Sequence, residues 1–307
     1  MPYGMPTRDQ HGMAAEFSRY GGVRFGPPDL RALEEEGYTA VDMHVHTTHS
    51  DGLMHVKDAL ARGRRIGAAF AVTDHNTVTG AVEAVRTAEE GQVIVPGIEV
   101  SAAEGPHVLV YFYSIDDLVG YHREVVAPAL QASPYLATTL PTEAILTGLE
   151  GRDAISVAAH PFGYLFLCRG VCKAIAAGEL APGVLCRLDG LEGICGGMTR
   201  SQNERAIAFA DAHDLVLTGG TDAHLLSELG RVVTAARADS VEEFLDAVRR
   251  GDALVWGQEK NALEKTLQAT AVLPRFAPYL GSSIGIHYRQ NAPRALRFLR
   301  RGRRRTG

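Results

Sequence analysis

The chain has 307 residues, which is enough for one large α/β domain or two small domains. It is 46% hydrophobic and 22% charged, and no apolar run approaches the roughly 20 residues that a membrane-spanning helix needs. Its four cysteines exclude a disulfide framework. Because the N-terminus also lacks a hydrophobic run flanked by basic residues, we expect a cytoplasmic protein without a membrane partner.

Charge is distributed unevenly along the chain. The formal net charge is -5, and seven arginines lie between positions 294 and 305. Subtracting those seven positive charges from the total leaves about -12 for the rest. An acidic body with many Asp, Glu and His residues suits a cation site. We interpret the basic tail as a solvated terminus, and we prefer this interpretation to a surface that binds nucleic acid or another anion.

Short apolar strands alternate with helices along most of the chain. The predicted strands are residues 38–45, 68–72, 92–95, 107–113, 154–158, 191–194, 215–218 and 253–256. The predicted helices are residues 29–37, 54–66, 78–90, 118–149 with breaks at the prolines, 201–213 and 241–250, with more helix towards the end. This alternation predicts a parallel sheet. The absence of linker composition between the β/α steps favours one closed or nearly closed β/α barrel over an open doubly wound sheet.

Histidine and acidic residues recur at the ends of these strands. His44 and His46 alternate with Val45 on the first strand, so both imidazoles face the same side. The candidate ligands found in this way are His44, His46, Asp51, His75, Glu99, His107, His160, Asp222 and His224. The carboxyl ends of barrel strands converge on one mouth, so we expect these groups to share one cavity.

Nitrogen and oxygen ligands without cysteine suit Zn, Mn or Fe. The same ligands argue against an iron–sulfur centre or a structural zinc finger. The candidate ligands are too many for a single ion. Two or three divalent ions bridged by a carboxylate are the economical arrangement, and Glu99 is the predicted bridge. Neighbouring ions of this kind can bind a phosphate, acidify a water and stabilise a leaving oxygen.

The ordered motifs resemble the PHP (polymerase and histidinol phosphatase) superfamily of metal-dependent phosphoesterases. The matching stretches are HVHTTHSDG at 44–52, VTDHNT at 72–77, PGIEV at 96–100, His107, AHP at 159–161, NERA at 203–206 and GGTDAH at 219–224. The resemblance implies a distorted, TIM-like (β/α)7 barrel with a trinuclear metal site at its C-terminal mouth. It divides the chain into a lead-in with a short helix (1–37), a PHP domain (38–257) and a helical extension with the Arg-rich tail (258–307).

Three metal positions are implied by the resemblance, residue by residue. The first would be held by His44, His46, Glu99 and Asp222. The second would be held by Asp51, His75 and His224, which are also the predicted catalytic residues. The third would be held by Glu99, His107 and His160. The implied reaction is attack of a metal-bridging hydroxide on phosphorus, and Mg²⁺ is disfavoured because imidazole-rich sites prefer softer ions.

Substrates of the superfamily include histidinol phosphate, nucleoside bisphosphates, short oligonucleotides and DNA ends. The chain resembles the small stand-alone members, so we expect a small phosphorylated partner that is nucleotide-like or a short oligonucleotide. No protein partner is implied. Arg169 and Arg200 are predicted to bind substrate phosphate, because a guanidinium can bind phosphate oxygens bidentately; an ordinary surface role for either stays open.

Two other classes stay open as alternatives. An amidohydrolase-type enzyme acting on C–N or C–O bonds also uses an HxH motif on a β/α barrel, but it usually bridges its metals with a carboxylated lysine. Only Lys57 and Lys173 lie between the HxH motif and Asp222, and neither ends a predicted strand. The other alternative is a non-catalytic module that metal ions stabilise.

Asp74 and the cysteines have less specific interpretations. Asp74 precedes a predicted ligand, so it could orient an imidazole or shape a turn. The four cysteines are Cys168, Cys172, Cys186 and Cys195, and their spacing matches no common zinc site. We predict that they are buried, inert thiols.

Overall fold

A computed structural model describes residues 22–163 and 170–303 of the chain. The strands in this part are β1 (Val23–Phe25), β2 (Thr39–Val45), β3 (Ala69–Val72), β4 (Ile94–Ser101), β5 (His107–Phe112), β6 (Ala154–Ala158), β7 (Gly190–Cys195), β8 (Val216–Gly220), β9 (Val232–Ala236) and β10 (Leu254–Gly257). The α-helices are α1 (Leu30–Glu35), α2 (Val56–Ile66), α3 (Thr79–Thr87), α4 (Ile115–Tyr121), α5 (Thr142–Thr147), α6 (Val171–Ala176), α7 (Arg200–Ala212), α8 (Val241–Arg250), α9 (Ala262–Val272) and α10 (Leu280–Arg303). A π-helical segment follows α4 at His122–Val126, and 3₁₀ turns lie at Ala127–Ala129, Pro182–Arg187, Leu226–Glu228 and Leu273–Tyr279.

The strands form one curled sheet in the order β1-β10-β9-β2-β3-β4-β5-β6-β7-β8. β5 is antiparallel to both of its neighbours, and β9 is antiparallel to β2 and β10. The remaining pairs are parallel. The α/β barrel-like fold is confirmed. The prediction of a purely parallel sheet is wrong, because a short turn joins β4 to β5 and cannot supply the crossover that a parallel pair requires.

The sheet curls until the end of β8 reaches β2. His46 donates its backbone N–H to the carbonyl of Ala223 at 2.8 Å, and Ala223 donates to the carbonyl of His44 at 3.1 Å. A Cβ on Gly220 would overlap the backbone and Cβ of His44. Glycine is therefore required at this position, where two strands approach closely. The contact brings Asp222 beside the first strand.

A shift in strand pairing directs the first two histidines into the interior of the curled sheet. The register of β2 with β3 changes between Asp42 and Val45. Met43 belongs to the interior apolar cluster, whereas Val45 packs with the outer cluster beneath α2 and α3. Because such an irregularity re-aims the side chains that follow it, His44 faces the interior directly after Met43.

The interior of the sheet is filled by apolar side chains next to the histidines. Val41, Met43, Ala71, Val95, Leu109, Tyr111, Ile155 and Val157 form this cluster, and α8 adds Phe244, Leu245 and Val248. The hydroxyl of Tyr111 donates to the carbonyl of Met43 at 2.7 Å across the interior. Burying each large side chain of this kind stabilises the fold by roughly 1.5–3 kcal/mol. The packed interior therefore gives the histidines a rigid base.

Residues 118–149 are less helical than predicted. Regular helix is limited to α4, the two short segments after it and α5, while residues 131–140 adopt turns and irregular structure. The side-chain amide of Asn76 donates to the carbonyls of Pro134 and Leu136 at 2.9 and 2.7 Å. These two carbonyls therefore accept hydrogen bonds from Asn76 and not from backbone N–H groups of a helix. Proline already interrupts the helical pattern of this stretch. Among the helices of the described residues, none has the length and apolar character that crossing a bilayer requires.

The cysteines differ in their exposure to solvent. Cys172 and Cys195 are buried, as predicted, whereas Cys186 is exposed, and Cys168 lies outside the described residues. Burial raises the pKa of the Cys172 thiol to about 12. Because the thiolate is the reactive form, iodoacetamide at about pH 8 should alkylate Cys186 and spare Cys172 and Cys195 until the protein is denatured. Peptide mass spectrometry measures this directly, and labelling of native Cys172 as fast as Cys186 would contradict it.

Candidate metal centre

All of the predicted ligands gather in one buried cluster at the mouth of the sheet, and none is more than 7% exposed. Six of the strands that surround it run in one direction and bring side chains to the mouth at or near their carboxyl ends. β5 runs the other way, so it brings its first residue, His107, to the same edge. This explains why one candidate ligand starts a strand while the others lie at or after strand ends.

Glu99 occupies the centre of the cluster, between two groups of imidazoles. Its Oε2 atom lies 2.9, 3.3 and 3.4 Å from ring nitrogens of His75, His46 and His44, respectively. Its Oε1 atom lies 2.9 Å from Nδ1 of His107 and 3.2 Å from Nε2 of His160. The two oxygens of one carboxylate therefore face different imidazoles, an arrangement that would allow Glu99 to contact two cations.

Three atoms on the Asp222 side of Glu99 form a compact group. Nε2 of His44 and Nε2 of His46 are 3.1 Å apart. Oδ1 of Asp222 lies 3.8 and 3.4 Å from these same nitrogens. Two ligand atoms on one tetrahedral zinc ion are about 3.3 Å apart, given bonds of about 2.0–2.1 Å. The spacing of the group therefore suits one shared cation.

Asp51 organises a second group on the solvent side. Its Oδ1 atom lies 3.4 Å from Nε2 of His224 and 3.9 Å from Nδ1 of His46. Its Oδ2 atom lies 3.7 Å from Nε2 of His75. One ligand atom from each of His46, Asp51, His75 and His224 falls within 4.8 Å of the others. These side chains can hold a divalent ion between them.

Several buried ligand atoms lack hydrogen bonds, which is the strongest indication that cations belong here. Within the described residues, Nδ1 of His46, Oδ1 of Asp51, Nδ1 of His75 and Oε2 of Glu99 have no hydrogen-bond partner. Nδ1 of His75 lies 2.9 Å from Oε2 of Glu99 without the alignment of a hydrogen bond. Buried polar atoms are rarely left in this state, because each costs about 1–3 kcal/mol. Divalent cations would satisfy them, so the residues fit the implied metals.

The charges of the cluster are coupled. Burial would raise the pKa of Glu99, but neighbouring imidazoles, with His75 foremost, hold it well below its usual range. Burial also opposes charge on His224, yet Asp51 and Asp222 raise the pKa of that imidazole to about 9. Burial and the nearby imidazoles His224 and His75 lower the pKa of His46 to about 4. Protons on the raised imidazoles balance the carboxylates, and a cation would have to displace them.

The backbone is strained at the cluster. His160 and Asp222 adopt positive φ angles of 31° and 53°, and Asn76, next to His75, has a φ of 54°. Non-glycine residues with positive φ are uncommon and concentrate at functional sites, where surrounding structure holds them. Asn76 is held by its bonds to the 131–140 segment and by accepting the N–H of Ser101 at 2.9 Å.

Asp74 shapes a turn and does not contact a ligand imidazole. Its carboxylate accepts the backbone N–H and the hydroxyl of Thr47, both at 2.7 Å, and the hydroxyl of Ser50 at 2.5 Å. These bonds fix the loop that carries His46 and Asp51. Of the two interpretations that the sequence left open, the structure supports the turn.

Glu192 is a buried residue of the site that sequence reasoning missed. Its Oε1 atom lies 3.0 Å from Nδ1 of His44, and its Oε2 atom accepts the backbone N–H of His160 at 2.7 Å. A carboxylate on the far nitrogen of a ligand histidine fixes the ring orientation and its tautomer. The only signal in the sequence was an acidic residue inside the apolar strand Gly190–Cys195.

Replacing Glu192 with Gln should weaken metal binding about 10- to 100-fold, the usual cost of losing such a partner. A glutamine has one carbonyl oxygen and cannot accept from both His44 and His160. Titration of the metal-free variant with Zn²⁺ measures the change, and Glu90→Gln on the exposed end of the α3 region is the matched control. Unchanged affinity in the Glu192 variant would show that this carboxylate does not position the ligands.

A second network that the sequence did not reveal supports Asp222 and His224 from the C-terminal side. The ammonium of Lys260 donates to the carbonyl of Asp222 and to Oε1 of Gln268, each at 2.7 Å. This orients the amide of Gln268 so that its Nε2 atom lies 2.7 Å from Nδ1 of His224. Glu228 completes the network, 3.3 Å from the Lys260 ammonium. Residues beyond the PHP-like motifs therefore hold one side of the cluster.

The cluster opens into a cavity of about 790 Å³. Asp51, His75, Glu99, His107, His160, Asp222 and His224 form its floor. The walls include Gly197, Met198, Thr199, Ser201 and Gln202 from the start of α7, and Lys265, Gln268, Ala269, Val272, Leu273 and Phe276 from the C-terminal side. His44 and His46 lie below the lining.

The structure does not bring Arg200 into this cavity. Its guanidinium binds Glu259 with two contacts of 2.8 and 3.1 Å and stacks over the ring of Phe25 at 3.9 Å. The predicted phosphate-binding role has no support here, because position alone, just after a strand, does not show where a long side chain points. Arg169, the other predicted phosphate ligand, lies outside the described residues.

Comparisons with known proteins agree with the fold. Residues 200–253 match the family model described as PHP-associated. A two-domain protein from Bacteroides vulgatus, described as containing a predicted PHP-like metal-dependent phosphoesterase, is 18% identical with a TM-score of 0.53; the match covers 76% of this chain and 68% of that one. None of the curated proteins matches the sequence.

Two endonuclease structures also match. The lesion-specific endonuclease Q of Pyrococcus furiosus is 17% identical with a TM-score of 0.55, over 71% of this chain and 57% of that one. Endonuclease Q in complex with a 27-mer duplex carrying an abasic lesion is 16% identical with a TM-score of 0.56, over 72% and 60%. This chain thus spans less than two thirds of either endonuclease. The resemblance to the PHP superfamily is confirmed at the level of fold.

Proposed function

We propose that the protein is a metal-dependent phosphoesterase that hydrolyses a phosphate monoester or diester of a small, nucleotide-like substrate. The observation that carries the proposal is the position of Glu99, whose two oxygens face separate groups of buried imidazoles. The PHP-like fold supports it. We assign the activity to residues 38–257.

Three cation positions are proposed from the contacts. His44, His46, Glu99 and Asp222 would hold the first, Asp51, His75 and His224 the second, and Glu99, His107 and His160 the third. Divalent cations bound there would lower the pKa of a water and neutralise phosphoryl oxygens. Zn²⁺, Mn²⁺ and Fe²⁺ fit the nitrogen-rich donors best.

The side chains of the site have distinct parts in this proposal. Asp51, His75 and His224 line the cavity and would meet the substrate, so we propose them as the catalytic residues. His44 and His46 lie deeper, and Glu192 orients the first of them. Ala269, Val272, Leu273 and Phe276 also line the cavity. A substrate that covers the floor beside these apolar side chains would exclude water, which strengthens the electrostatic interactions of a bound phosphate.

An amidohydrolase-type activity is less well supported. That class usually has a carboxylated lysine at the bridging position, and Lys57 and Lys173 lie on helices α2 and α6. Glu99 takes the central position instead.

The nucleotide-like substrate is supported by the similarity to the endonuclease Q structures, one of which contains a DNA duplex.

The test is hydrolysis of p-nitrophenyl phosphate and bis-p-nitrophenyl phosphate by protein that has been stripped with a chelator and reloaded with Zn²⁺, Mn²⁺ or Fe²⁺. We expect turnover of at least one substrate, loss of turnover on chelation and its return on reloading. The variants His46→Ala and Asp222→Ala should lose both metal and activity. Reloaded wild-type protein that holds metal yet does not exceed His46→Ala on either substrate would overturn the proposal.

Reloading should also depend on pH. The carboxylates raise the pKa of His44, His75 and His224 against the effect of burial. Below those raised values the imidazoles carry protons that exclude a cation. Metal affinity should therefore increase as the pH rises and fall as it drops.

A further inference from the structure

The C-terminal segment 261–276, which lies beyond the PHP-like motifs, forms one wall of the cavity. It is fixed at both ends to loops of the cluster. At its start, Lys260 holds the carbonyl of Asp222. At its end, the guanidinium of Arg275 donates to the carbonyls of Thr48 and Ser50, both at 2.6 Å, beside Asp51. The wall therefore has a defined position relative to the cluster.

Lys265 is the only lysine or arginine among the described residues that line the cavity. Its ammonium donates to the carbonyl of Met198 at 2.8 Å. No carboxylate of the described chain pairs with it, whereas Lys260 pairs with Glu228 and Arg200 with Glu259. Burial lowers the pKa of Lys265, and the opposing influence of Cys195 and Glu259, neither of which forms an ion pair with it, does not offset this. An anion in the cavity would complete its coordination.

The rest of this wall is apolar. It consists of the side chains of Ala269, Val272, Leu273 and Phe276, and Met198 lies beside them just before α7. The ring of Phe276 is held edge-to-face against Tyr135, with centroids 5.9 Å apart. A pocket with an apolar wall and a few placed polar groups suits a ligand with a flat or apolar body.

We propose that Lys265 binds an anionic group of the substrate other than the phosphoester that the cluster attacks, while the apolar wall receives the body between the two. The substrate class is therefore a phosphoester with an apolar or aromatic body and a second anionic group. This inference rests on the proposed function, since it places the attacked phosphoester at the cluster. It adds a specificity residue from a segment that the family model does not cover.

The experiment uses two substrate pairs that differ by one anionic group: phenyl phosphate with 4-carboxyphenyl phosphate, and adenosine 5′-phosphate with adenosine 3′,5′-bisphosphate. For each pair, kcat/KM is measured for the full-length wild type and for Lys265→Met, Lys265→Arg and Lys57→Met. Lys57 lies exposed on α2 and is the matched control. Binding of the same compounds to metal-free protein is followed by calorimetry, which needs no turnover.

We expect the wild type to prefer the member with two anionic groups in at least one pair. Lys265→Met should reduce that preference about 10- to 100-fold, mainly through KM, as for loss of a hydrogen bond to a charged group. Lys265→Arg should restore part of it, and Lys57→Met should not change it. The calorimetric affinities should follow the same order.

Two failures are distinguishable. If the wild type hydrolyses both members of each pair and Lys265→Met leaves every preference and affinity unchanged, the role of Lys265 is refuted while the proposed function stands. If reloaded wild type hydrolyses none of these esters or the nitrophenyl esters, the proposed function fails. Calorimetry then still decides about Lys265, because weaker binding of the doubly anionic compounds to Lys265→Met supports its role and equal binding refutes it.

Discussion

Glu99→Gln is expected to lose bound metal and to lower kcat/KM on p-nitrophenyl phosphate by more than the roughly 100-fold that marks the upper range for residues behind the ligands. Glutamine keeps the shape of the side chain, but it carries no negative charge and has only one ligating oxygen, so it cannot serve both sides of the cluster. Both oxygens of Glu99 face imidazoles within 3.4 Å, so the change affects both sides of the cluster. Metal content is measured by mass spectrometry of the purified protein and activity by release of p-nitrophenol.

Glu90→Gln is the matched control for this prediction, because Glu90 is exposed and lies outside the strands and outside the cluster. It should keep the metal content and rate of the wild type. A Glu99→Gln protein that is folded, retains the full metal content and turns over substrate at the wild-type rate would show that Glu99 is not the bridge.

Lys260→Met is expected to reduce the free energy of unfolding by about 3–5 kcal/mol, the usual cost of breaking a buried ion pair. The Lys260 side chain is fully buried, and that of Glu228 is 6% exposed. Methionine has a similar length, but it leaves Glu228 without its cation and removes the 2.7 Å hydrogen bond from the ammonium to the carbonyl of Asp222. Urea denaturation of the metal-free protein, followed by circular dichroism, measures the difference.

The double variant Lys260→Met with Glu228→Gln separates charge from packing. Because it removes both charges, it should recover part of the lost stability, as replacement of whole buried pairs often does. Lys57→Met serves as the control at an exposed position. If Lys260→Met alone is as stable as the wild type, the network beneath Asp222 has no structural importance.

The strand-end ligands could be predicted because two simple signals coincided. Each lies in or beside a short apolar run, and parallel strands bring such positions to one edge. The antiparallel direction of β5 did not disturb the prediction, since His107 begins its strand and still reaches the mouth. A local sequence pattern was therefore enough to predict the position of a ligand wherever a suitable residue type coincided with a strand boundary.

β9 was not predicted from the sequence, because this strand lacks the pattern that identified the others. It follows β8 through a loop without an α-helix, so it falls outside the alternation of strand and helix that the prediction used. Residues 118–149 were predicted as mostly helical, but Asn76 binds carbonyls of the segment from another part of the chain. Tertiary hydrogen bonds outweigh local propensity in such cases.

The supporting residues could not be found from spacing. Glu192 lies within an apolar strand, and its partners His44 and His160 are distant in sequence. Lys260 and Gln268 act on Asp222 and His224 from the C-terminal segment. Arg200 was predicted to bind phosphate from its place near a strand end, with a surface role left open, and in the structure it pairs with Glu259. The direction of a long side chain depends on partners that a linear pattern does not show.

The most direct test of the account is an anomalous difference map from crystals of the wild-type protein loaded with Zn²⁺ or Mn²⁺. We predict two or three peaks inside the cluster. Glu99 should contact more than one of them, and His46 and Asp222 should both contact one of the peaks that Glu99 contacts. Loaded crystals in which the anomalous signal lies only on the protein surface, with none among these buried side chains, would contradict the account.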